Sequence, residues 1–502
     1  MNGSKLVGNT LLNLIGFILP LFVGIVTIPF IIRGLGTHRF GILSLAWAVL
    51  IYLSLFDLGL GRATIKFISE SLGNKEYKKI PSIFWTSLLF NSLLGIVGGI
   101  ALAVSTPILI NNIFNIPSYL LREAQTSFLI LAALVPAVVS STSLRGVLEG
   151  AQRFDLVNIV KASSSALNFL IPALAIPFGL HLPEIIFFLL VARIGTASIY
   201  LIFCFKVFPA LRKNISLEKK LVRPLFTFGG WVTVSNVTGP ILIYLDRFLI
   251  GSLLTIAAVT FYTAPYEIVS RLWIFPTSLM MSLFPAFSSL GNNHKEKLGN
   301  IYAYGLKYLL LVMGPLILIF VLFAKDILNL WIGAEFALKS TLVLQILGIY
   351  VLISSLAYIP FTLIQGVGRP DIPAKFHLLE LPIFIVIAWL LIKKFGIVGA
   401  ALATSFRIIM DAILLFGASW KLVPSTFPAL ARNRIVRTII ALLGLTSISI
   451  SLVILFNRLL NQIIALGVII SFFIVVVWNF ILDSEEKRFL SSALRLILKR
   501  SR

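Results

Sequence analysis

Long apolar stretches recur along the whole chain and are separated by short polar or basic segments. The hydrocarbon core of a bilayer requires about 20 apolar residues for each helical crossing. We therefore predict an all-α integral membrane protein with about fourteen transmembrane helices. The predicted spans are 9–32, 40–61, 81–110, 124–145, 159–178, 183–206, 225–251, 256–288, 301–324, 340–365, 376–395, 397–420, 435–456 and 462–482.

The overall composition agrees with this pattern. Of the 502 residues, 59% are hydrophobic and 12% are charged, whereas a soluble domain carries roughly 25% charged residues. The apolar run from Leu11 to Ile32 is longer than the hydrophobic region of a signal peptide, so we predict it to be the first span. The single cysteine, Cys204, excludes an intrachain disulfide.

Basic residues outnumber acidic ones by 42 to 19 and concentrate in alternate loops. The positive-inside rule then predicts that both termini of this multi-pass protein lie in the cytoplasm, with the helices in the inner (cell) membrane. Anionic lipid at the inner surface accounts for the +23 net charge, so no nucleic-acid partner is needed. Apolar and basic residues of the tail 483–502 recur at helical spacing, which predicts an amphipathic helix on that surface.

Two short segments of similar sequence lie 216 residues apart (366 − 150). The aligned residues are Gly150, Arg153 and Asp155 in the first segment and Gly366, Arg369 and Asp371 in the second. The offset covers six predicted helices, an even number, so both copies enter the membrane in the same direction. This predicts two six-helix lobes, related by a parallel repeat around a central cavity, and two extra helices.

The predicted repeat divides the chain into four parts. They are an N-terminal lobe at 1–217, a C-terminal lobe at 218–425, helices 13 and 14 at 426–482 and the tail at 483–502. Helices interrupted at matching positions of two repeats indicate a binding site in membrane carriers. Predicted helices 1 and 7 are the candidates, through Gly16, Pro20, Gly24 and Pro29 against Gly229, Gly230, Gly239 and Pro240.

A charge at mid-membrane costs at least about 2.5–3.5 kcal/mol, so it should face an interior or a water-filled cavity. The candidates inside predicted spans are Asp57, Arg193, Asp246, Arg247, Glu267, Arg271, Arg407 and Asp411. Guanidinium groups bind phosphate through paired, planar hydrogen bonds. We therefore predict that arginines bind an anionic, diphosphate-bearing group. The predicted substrate-binding residues are Arg193, Arg247, Arg271 and Arg407.

Acidic residues of the same set are candidates for coupling or gating, together with one arginine at the inner end of helix 2. The candidates are Asp57, Arg62, Asp246, Glu267 and Asp411. Structural alternatives stay open for several of these residues. Residues four apart, as in Glu267–Arg271 and Arg407–Asp411, can form ion pairs on one helix face. Asp246 and Arg247 lie near the outer end of helix 7 and can reach the surface.

Several kinds of catalytic chemistry are missing from the sequence. There is no Walker A motif and no nucleophile elbow of the Gly-x-Ser-x-Gly type. The four histidines are dispersed, without the spacing of metal ligands. We therefore predict a protein that is not an enzyme and that has no cofactor and no metal site.

Three regions resemble the polysaccharide biosynthesis flippases of the Wzx type, and the similarity in layout covers residues 1–480. The regions are Phe56–Ala63, Arg145–Phe154, and Tyr244–Gly251 followed by Tyr262 and Leu283–Ser288. Four candidate residues stand at positions of these motifs: Asp57, Arg62, Asp246 and Arg247.

The resemblance implies a two-lobed helical fold that works by alternating access. It implies a substrate in which a sugar chain is joined through diphosphate to a polyprenol, and which moves from the cytoplasmic to the outer leaflet. The implied partners are this lipid-linked oligosaccharide, membrane lipids and proteins of glycan assembly. The same superfamily contains multidrug extruders, so a cation-coupled drug antiporter stays open, although Arg193 and Arg407 argue against a dominant acidic site. A membrane-bound glycan polymerase or ligase would need a long outer loop, and the predicted loops are short.

Overall fold

A computed structural model gives the structure of most of the chain. The described residues are 3–53, 57, 59–218, 238, 241–290, 295–456, 458–484 and 486–488. Two predictions fall on other residues. The interruption of helix 7 at Gly229, Gly230, Gly239 and Pro240 lies outside the described residues, and so does the tail from 489 onward.

Every regular element in the described part of the chain is helical. The α-helices are α1 Gly3–Leu53, α2 Leu60–Gly73, α3 Ile80–Ile108, α4 Leu121–Gly150, α5 Phe154–Ala175, α6 Leu182–Val207, α7 Ala210–Lys213, α8 241–253, α9 Ile256–Ser270, α10 Ile274–Leu290, α11 Lys295–Leu322, α12 Ala324–Trp331, α13 Ala334–Gly366, α14 Asp371–Leu422, α15 Thr426–Arg432, α16 Ile435–Leu455 and α17 Leu459–Val476. Single 3-10 or π turns occur at Tyr77–Lys79, Leu109–Ile113, Ser118–Leu120, Ile176–Phe178, Arg271–Trp273 and Val477–Ile481.

Among the described residues, nine helical stretches are long and apolar enough to cross a membrane. One of them, α14, has 52 residues with a kink at Gly396, which is enough for two crossings of about 20 residues each. The chain is therefore a multi-pass, all-helical membrane protein, as the hydrophobic pattern predicted. The number fourteen stays a prediction.

Two glycines form the kinks at which predicted spans meet within α1 and within α14. Gly36 in α1 has φ 77°, and Gly396 in α14 has φ 59°, whereas both flanks are helical. Glycine adopts this left-handed region at no steric cost because it has no Cβ. The predicted boundaries between 9–32 and 40–61, and between 376–395 and 397–420, fall at these two bends.

Other predicted boundaries differ from the structure. The span predicted to end at residue 61 ends at Leu53, and the loop after it contains α2, whose many polar residues gave no hydrophobic signal. The single helix predicted at 256–288 is divided by the 3-10 turn Arg271–Trp273. The predicted interruption of helix 1 at its Gly and Pro residues is wrong, since Gly36 is the non-helical residue within α1.

The two segments of the predicted repeat have the same local structure. Gln152, after α4, and Gly368, after α13, have positive φ of 57° and 84°. In each segment the following arginine forms two hydrogen bonds to the aspartate two residues later, Arg153 to Asp155 and Arg369 to Asp371, at 2.7–3.1 Å. The sequence match at offset 216 therefore extends to backbone conformation and side-chain pairing.

The chain divides into two compact units. Unit 1 consists of Met1–Ile268 and His377–Thr404, and unit 2 of Val269–Phe376 and Ser405–Arg502. In unit 1, α3 lies close to α4 at two glycines: a Cβ on Gly95 would be 2.7 Å from Pro136 Cα, and one on Gly99 would be 2.7 Å from the Ala132 oxygen. Small residues of this kind allow close helix packing in membranes, where packing rather than water exclusion favours association.

Candidate functional site

Arg193 lies near the middle of α6 and is held by two neutral side chains of α5. Its Nη1 donates to the Ser164 hydroxyl at 3.0 Å, and its Nη2 donates to the Asn168 side-chain oxygen at 2.9 Å. Thr196 donates to the same Ser164 hydroxyl at 3.3 Å. Among the described residues, no carboxylate forms an ion pair with Arg193. A guanidinium stays protonated in proteins and has five N–H donors, so Arg193 is a cation with further donors for another ligand.

Arg247, in α8, has very different surroundings. Its side chain is 2% exposed, and its guanidinium carbon lies 4.7 Å and 4.5 Å from the ring centres of Tyr244 and Tyr266. Its Nη atoms lie 3.8 Å from Asp246 Oδ1 and 3.6 Å from Glu267 Oε1. We call these five residues the arginine cage, because aromatic faces and carboxylates both stabilise the cation that they surround.

Asp246 connects the arginine cage to α14. Its carboxylate accepts hydrogen bonds from the Arg247 backbone N–H at 2.7 Å and from the Tyr262 hydroxyl at 2.5 Å. The Tyr262 hydroxyl also lies 3.4 Å from the Thr404 hydroxyl. The alternative in which Asp246 and Arg247 reach the membrane surface is wrong, because the two residues are only 1% and 2% exposed and residues of α9 contact both of them. Glu267 pairs with Arg247 from a different helix, which spacing along one helix did not predict.

Asp57 joins three helices where the chain turns from α1 into α2. Its carboxylate accepts hydrogen bonds from Asn91 Nδ2 at 2.8 Å, Thr142 Oγ1 at 2.7 Å and the Gly61 backbone N–H at 2.9 Å. These donors belong to α3, α4 and α2. The arrangement satisfies the first turn of α2 as a helix cap does. Arg62, in the same turn, is exposed.

Three further predicted residues belong to unit 2. Arg271 begins the 3-10 turn between α9 and α10 and is partly buried. Arg407 and Asp411, in α14, are each 6% exposed, and both interact electrostatically with Tyr358 of α13. Within unit 1 the structure brings Asp246, Arg247 and Glu267 together, while Arg193 and Asp57 each have their own partners.

Unit 2 contains a buried ion pair that was not predicted from the sequence. Lys307 of α11 has a side chain that is 1% exposed, and its Nζ lies 2.5 Å from Glu486 Oε1. The Tyr308 hydroxyl donates to the same carboxylate at 2.7 Å, and the Tyr304 ring centre is 4.9 Å from the Lys307 Nζ. Lys307 interrupts the apolar run 301–324, so an inventory of every charge inside the predicted spans would have found it.

The two residues that hold Arg193 were not predicted either. Ser164 and Asn168 are four residues apart in the predicted span 159–178, so they lie on one face of the helix. Polar side chains on one face of an apolar helix indicate a polar contact with a neighbouring helix. That signal predicts an interface, although it does not identify Arg193 as the partner.

The chain is similar in sequence to proteins of known families. The model for the family described as polysaccharide biosynthesis protein matches residues 6–291. A protein of Shigella flexneri named as an O-antigen transporter is 30% identical over 416 residues, which cover 82% of this chain and 97% of that protein. A protein of Haloferax volcanii named as a low-salt glycan biosynthesis flippase is 24% identical, over 77% of this chain and 78% of that protein.

Solved structures share the fold at low sequence identity. The lipid II flippase MurJ, in an inward closed conformation, has a TM-score of 0.70 at 13% identity, over 94% of this chain and 99% of that chain. An inward-facing multidrug resistance transporter of the MATE family has a TM-score of 0.70 at 14% identity, over 83% of this chain and 99% of that chain. At such identities these similarities establish a common fold.

Proposed function

Since the chain belongs to the polysaccharide biosynthesis protein family, we propose that it is a flippase for polyprenyl-diphosphate-linked oligosaccharides. It carries the sugar chain and the diphosphate from the cytoplasmic to the outer leaflet by alternating access, while the polyprenol stays in the bilayer. It is a carrier rather than an enzyme. The relatives named as an O-antigen transporter and as a glycan flippase support this substrate class.

Among individual residues, the main support for the proposal comes from Arg193 and its position in α6. It lies eleven residues after Leu182, where α6 begins, and thus about 16 Å along the helix, near the middle of a hydrocarbon core of about 30 Å. A cation at that depth without a carboxylate partner is costly unless it faces water or an anion. A diphosphate supplies the missing charge and accepts paired hydrogen bonds from a guanidinium.

The architecture that we propose has two lobes, at 1–217 and 218–425, around a cavity. The shared structure of the loops after α4 and α13 supports a parallel repeat at offset 216. Arg271 and Arg407 are then the cations that the second lobe contributes to the substrate.

The orientation that we propose has both termini in the cytoplasm of a cell that assembles its glycans on the inner leaflet of the membrane. The steep excess of Lys and Arg in alternate loops supports it. Proteins of glycan assembly, which supply the substrate and consume it on the other side, are the expected partners. Asp57, Arg62, Asp246, Glu267 and Asp411 remain our candidates for coupling or gating.

Movement of a labelled substrate in vesicles tests the function. Purified protein is reconstituted with a polyprenyl-diphosphate oligosaccharide that carries a fluorescent sugar, and a membrane-impermeant quencher reports the leaflet. We expect protein-dependent movement of the diphosphate lipid and at least tenfold slower movement of a labelled phosphatidylcholine, which lacks the diphosphate. Equal movement of both lipids, or of neither, contradicts the proposal. Ion-driven extrusion of a cationic dye without lipid movement would instead identify a drug antiporter.

A further inference from the structure

The turn between α8 and α9 is held by the segment that follows α3. The Asn115 backbone N–H donates to the Gly251 oxygen at 3.0 Å, and the Ile256 N–H donates to the Asn115 oxygen at 3.4 Å. The Asn115 side-chain amide donates to the oxygens of Ser252 and Leu254 at 2.9 Å and 2.7 Å. One asparagine therefore makes four hydrogen bonds to the backbone of this turn, and it does so from a different part of the chain.

The same turn is also in contact with α1. The Thr260 hydroxyl donates to the Thr37 oxygen at 2.6 Å. Gly41 lies so close to Ile256 that a Cβ on Gly41 would be 2.1 Å from the Ile256 carbonyl oxygen. Any other residue at position 41 would therefore force the two backbones apart, since carbonyl oxygens cannot yield as a flexible side chain can. We call this group of contacting residues the outer latch. Its members are Thr37, Gly41, Asn115, the turn 251–256 and Thr260.

All members of the outer latch belong to unit 1, yet they come from both of the proposed lobes. Thr37, Gly41 and Asn115 lie in the first lobe, at 1–217, and the turn 251–256 lies in the second. The positive-inside orientation places the connections that contain Thr37, Asn115 and the turn on the outer side. Contacts that cross between the lobes there must break whenever the substrate pathway opens to the outside.

We infer that the outer latch is the gate that closes the substrate pathway on the outer side, with Asn115 as its gating residue. This inference rests on the proposed alternating access. Asn115 is exposed, so its hydrogen bonds compete with water and each contributes only about 0.5–1.5 kcal/mol. A gate must close firmly and still open in every cycle. Several weak hydrogen bonds beside one close backbone contact have that property.

Thiol labelling tests the inference without any substrate. Cys204, the single native cysteine, is buried and is replaced by serine, and Val259, which is 0% exposed beside the latch, is changed to cysteine. We expect a membrane-impermeant thiol reagent, added outside, to label this cysteine about fivefold faster in Asn115→Ala, because about 1 kcal/mol of closure is lost. Asn112→Ala is the matched control, since Asn112 is an exposed asparagine in the preceding π turn.

Two further variants sharpen the result. Asn115→Asp keeps the size of the side chain but turns its donor into an acceptor that faces two carbonyl oxygens, so labelling should be as fast as in Asn115→Ala. Gly41→Ala should label faster than either, because its Cβ displaces backbone. Equal rates in Asn115→Ala, Asn112→Ala and the parent overturn the inference. Labelling only from the cytoplasmic side overturns it as well, because the latch would then face inward.

A reversible cross-link supplies the second measurement. A Cβ on Gly251 would lie 3.4 Å from Leu45 Cδ1, so Leu45→Cys with Gly251→Cys places two thiols across the closed latch. We expect oxidation to stop movement of the labelled diphosphate lipid and reduction to restore it. Unchanged movement in the cross-linked protein would refute the gate while leaving the flippase intact. Absence of lipid movement in the reduced parent, with latch-dependent labelling, would instead refute the proposed function alone.

Discussion

Arg193 and Arg247 are two arginines of unit 1 whose surroundings differ in every respect that decides what an arginine can bind. Arg193 has two neutral partners, Ser164 and Asn168. Arg247 lies between two tyrosine rings and beside two carboxylates. The first guanidinium lacks a counter-ion among the described residues, while the second already has its counter-ions within the protein.

The difference shows why a charge inside the membrane is not by itself a binding site. The arginine cage balances its cation with Asp246 and Glu267, so an added anion would meet two like charges. Arg193 presents the opposite situation, because an anion completes its set of partners. We therefore propose that Arg247 stabilises the fold and that Arg193 binds substrate, and four experiments test this proposal.

Arg247→Ala should have the largest effect, and the effect should be on stability. Removing the cation takes the charge of Arg247 away from the carboxylates of Asp246 and Glu267, and breaking a buried ion pair in this way costs about 3–5 kcal/mol. The thermal unfolding of the purified protein measures it. The control is Arg247→Met combined with Asp246→Asn and Glu267→Gln, which removes all three charges and should recover most of the loss. An unchanged melting temperature with abolished transport would show that Arg247 binds substrate instead.

Lys307→Ala extends the comparison to unit 2. Lys307 resembles Arg247, since it is buried with Glu486 and two tyrosines, so its loss should cost about 3 kcal/mol. Lys339 offers a matched control. Its ion pair with Glu335 is at 2.8 Å, with side chains that are 53% and 59% exposed. Lys339→Ala should change the stability by less than about 1 kcal/mol. Equal unfolding temperatures in the two variants would contradict the idea that burial determines how much an ion pair contributes to stability.

Arg193→Ala should impair transport more than folding. Hydrogen bonds to a charged group contribute about 1.5–3 kcal/mol, so we expect the rate of diphosphate-lipid movement to fall about 10- to 100-fold. The melting temperature should fall less than in Arg247→Ala, because the partners that lose a hydrogen bond, Ser164 and Asn168, are neutral and cost less to leave unsatisfied than a buried carboxylate. Arg122→Ala, at an exposed arginine, is the control and should leave both properties unchanged. A collapse in stability without a transport defect in the surviving protein would reverse the assignment.

Hydrophobic pattern alone predicted much of the fold, and the reason is local. A membrane span can be recognised from its own residues. The same is true of the bend at Gly396 and of the Arg-x-Asp loop at Arg369. By contrast, α2 at Leu60–Gly73 carries many polar residues, which gave it no hydrophobic signal.

The candidate site was less predictable, because it depends on how each helix is rotated. Spacing along one helix allowed Glu267 to pair with Arg271, but it gave no sign of the ion pair that Glu267 forms with Arg247, on another helix. The same holds for Arg193: its charge was visible in the sequence, but its neutral neighbours Ser164 and Asn168 come from α5. Which side chains meet across a helix interface is decided by packing, and one sequence does not contain that information in any periodic form.

Asn168→Asp should have the smallest effect of the four changes. It gives Arg193 a carboxylate partner of the kind that Arg247 already has. The Asn168 side-chain oxygen already accepts from Arg193 Nη2 at 2.9 Å, so a carboxylate at this position keeps the geometry and adds a counter-ion. Like charges at about 4 Å repel by about 1 kcal/mol where water is present, so binding of the diphosphate lipid should weaken about fivefold. The fold should be retained or slightly stabilised.

Asn168→Ala is the control, since it removes the hydrogen bond without adding charge, and it should weaken binding less. Equilibrium titration of the purified protein with the labelled lipid distinguishes the two variants. If Asn168→Asp bound the lipid as tightly as the parent, the charge of Arg193 could not be what the diphosphate recognises. Arg193, like Arg247, would then serve to stabilise the fold.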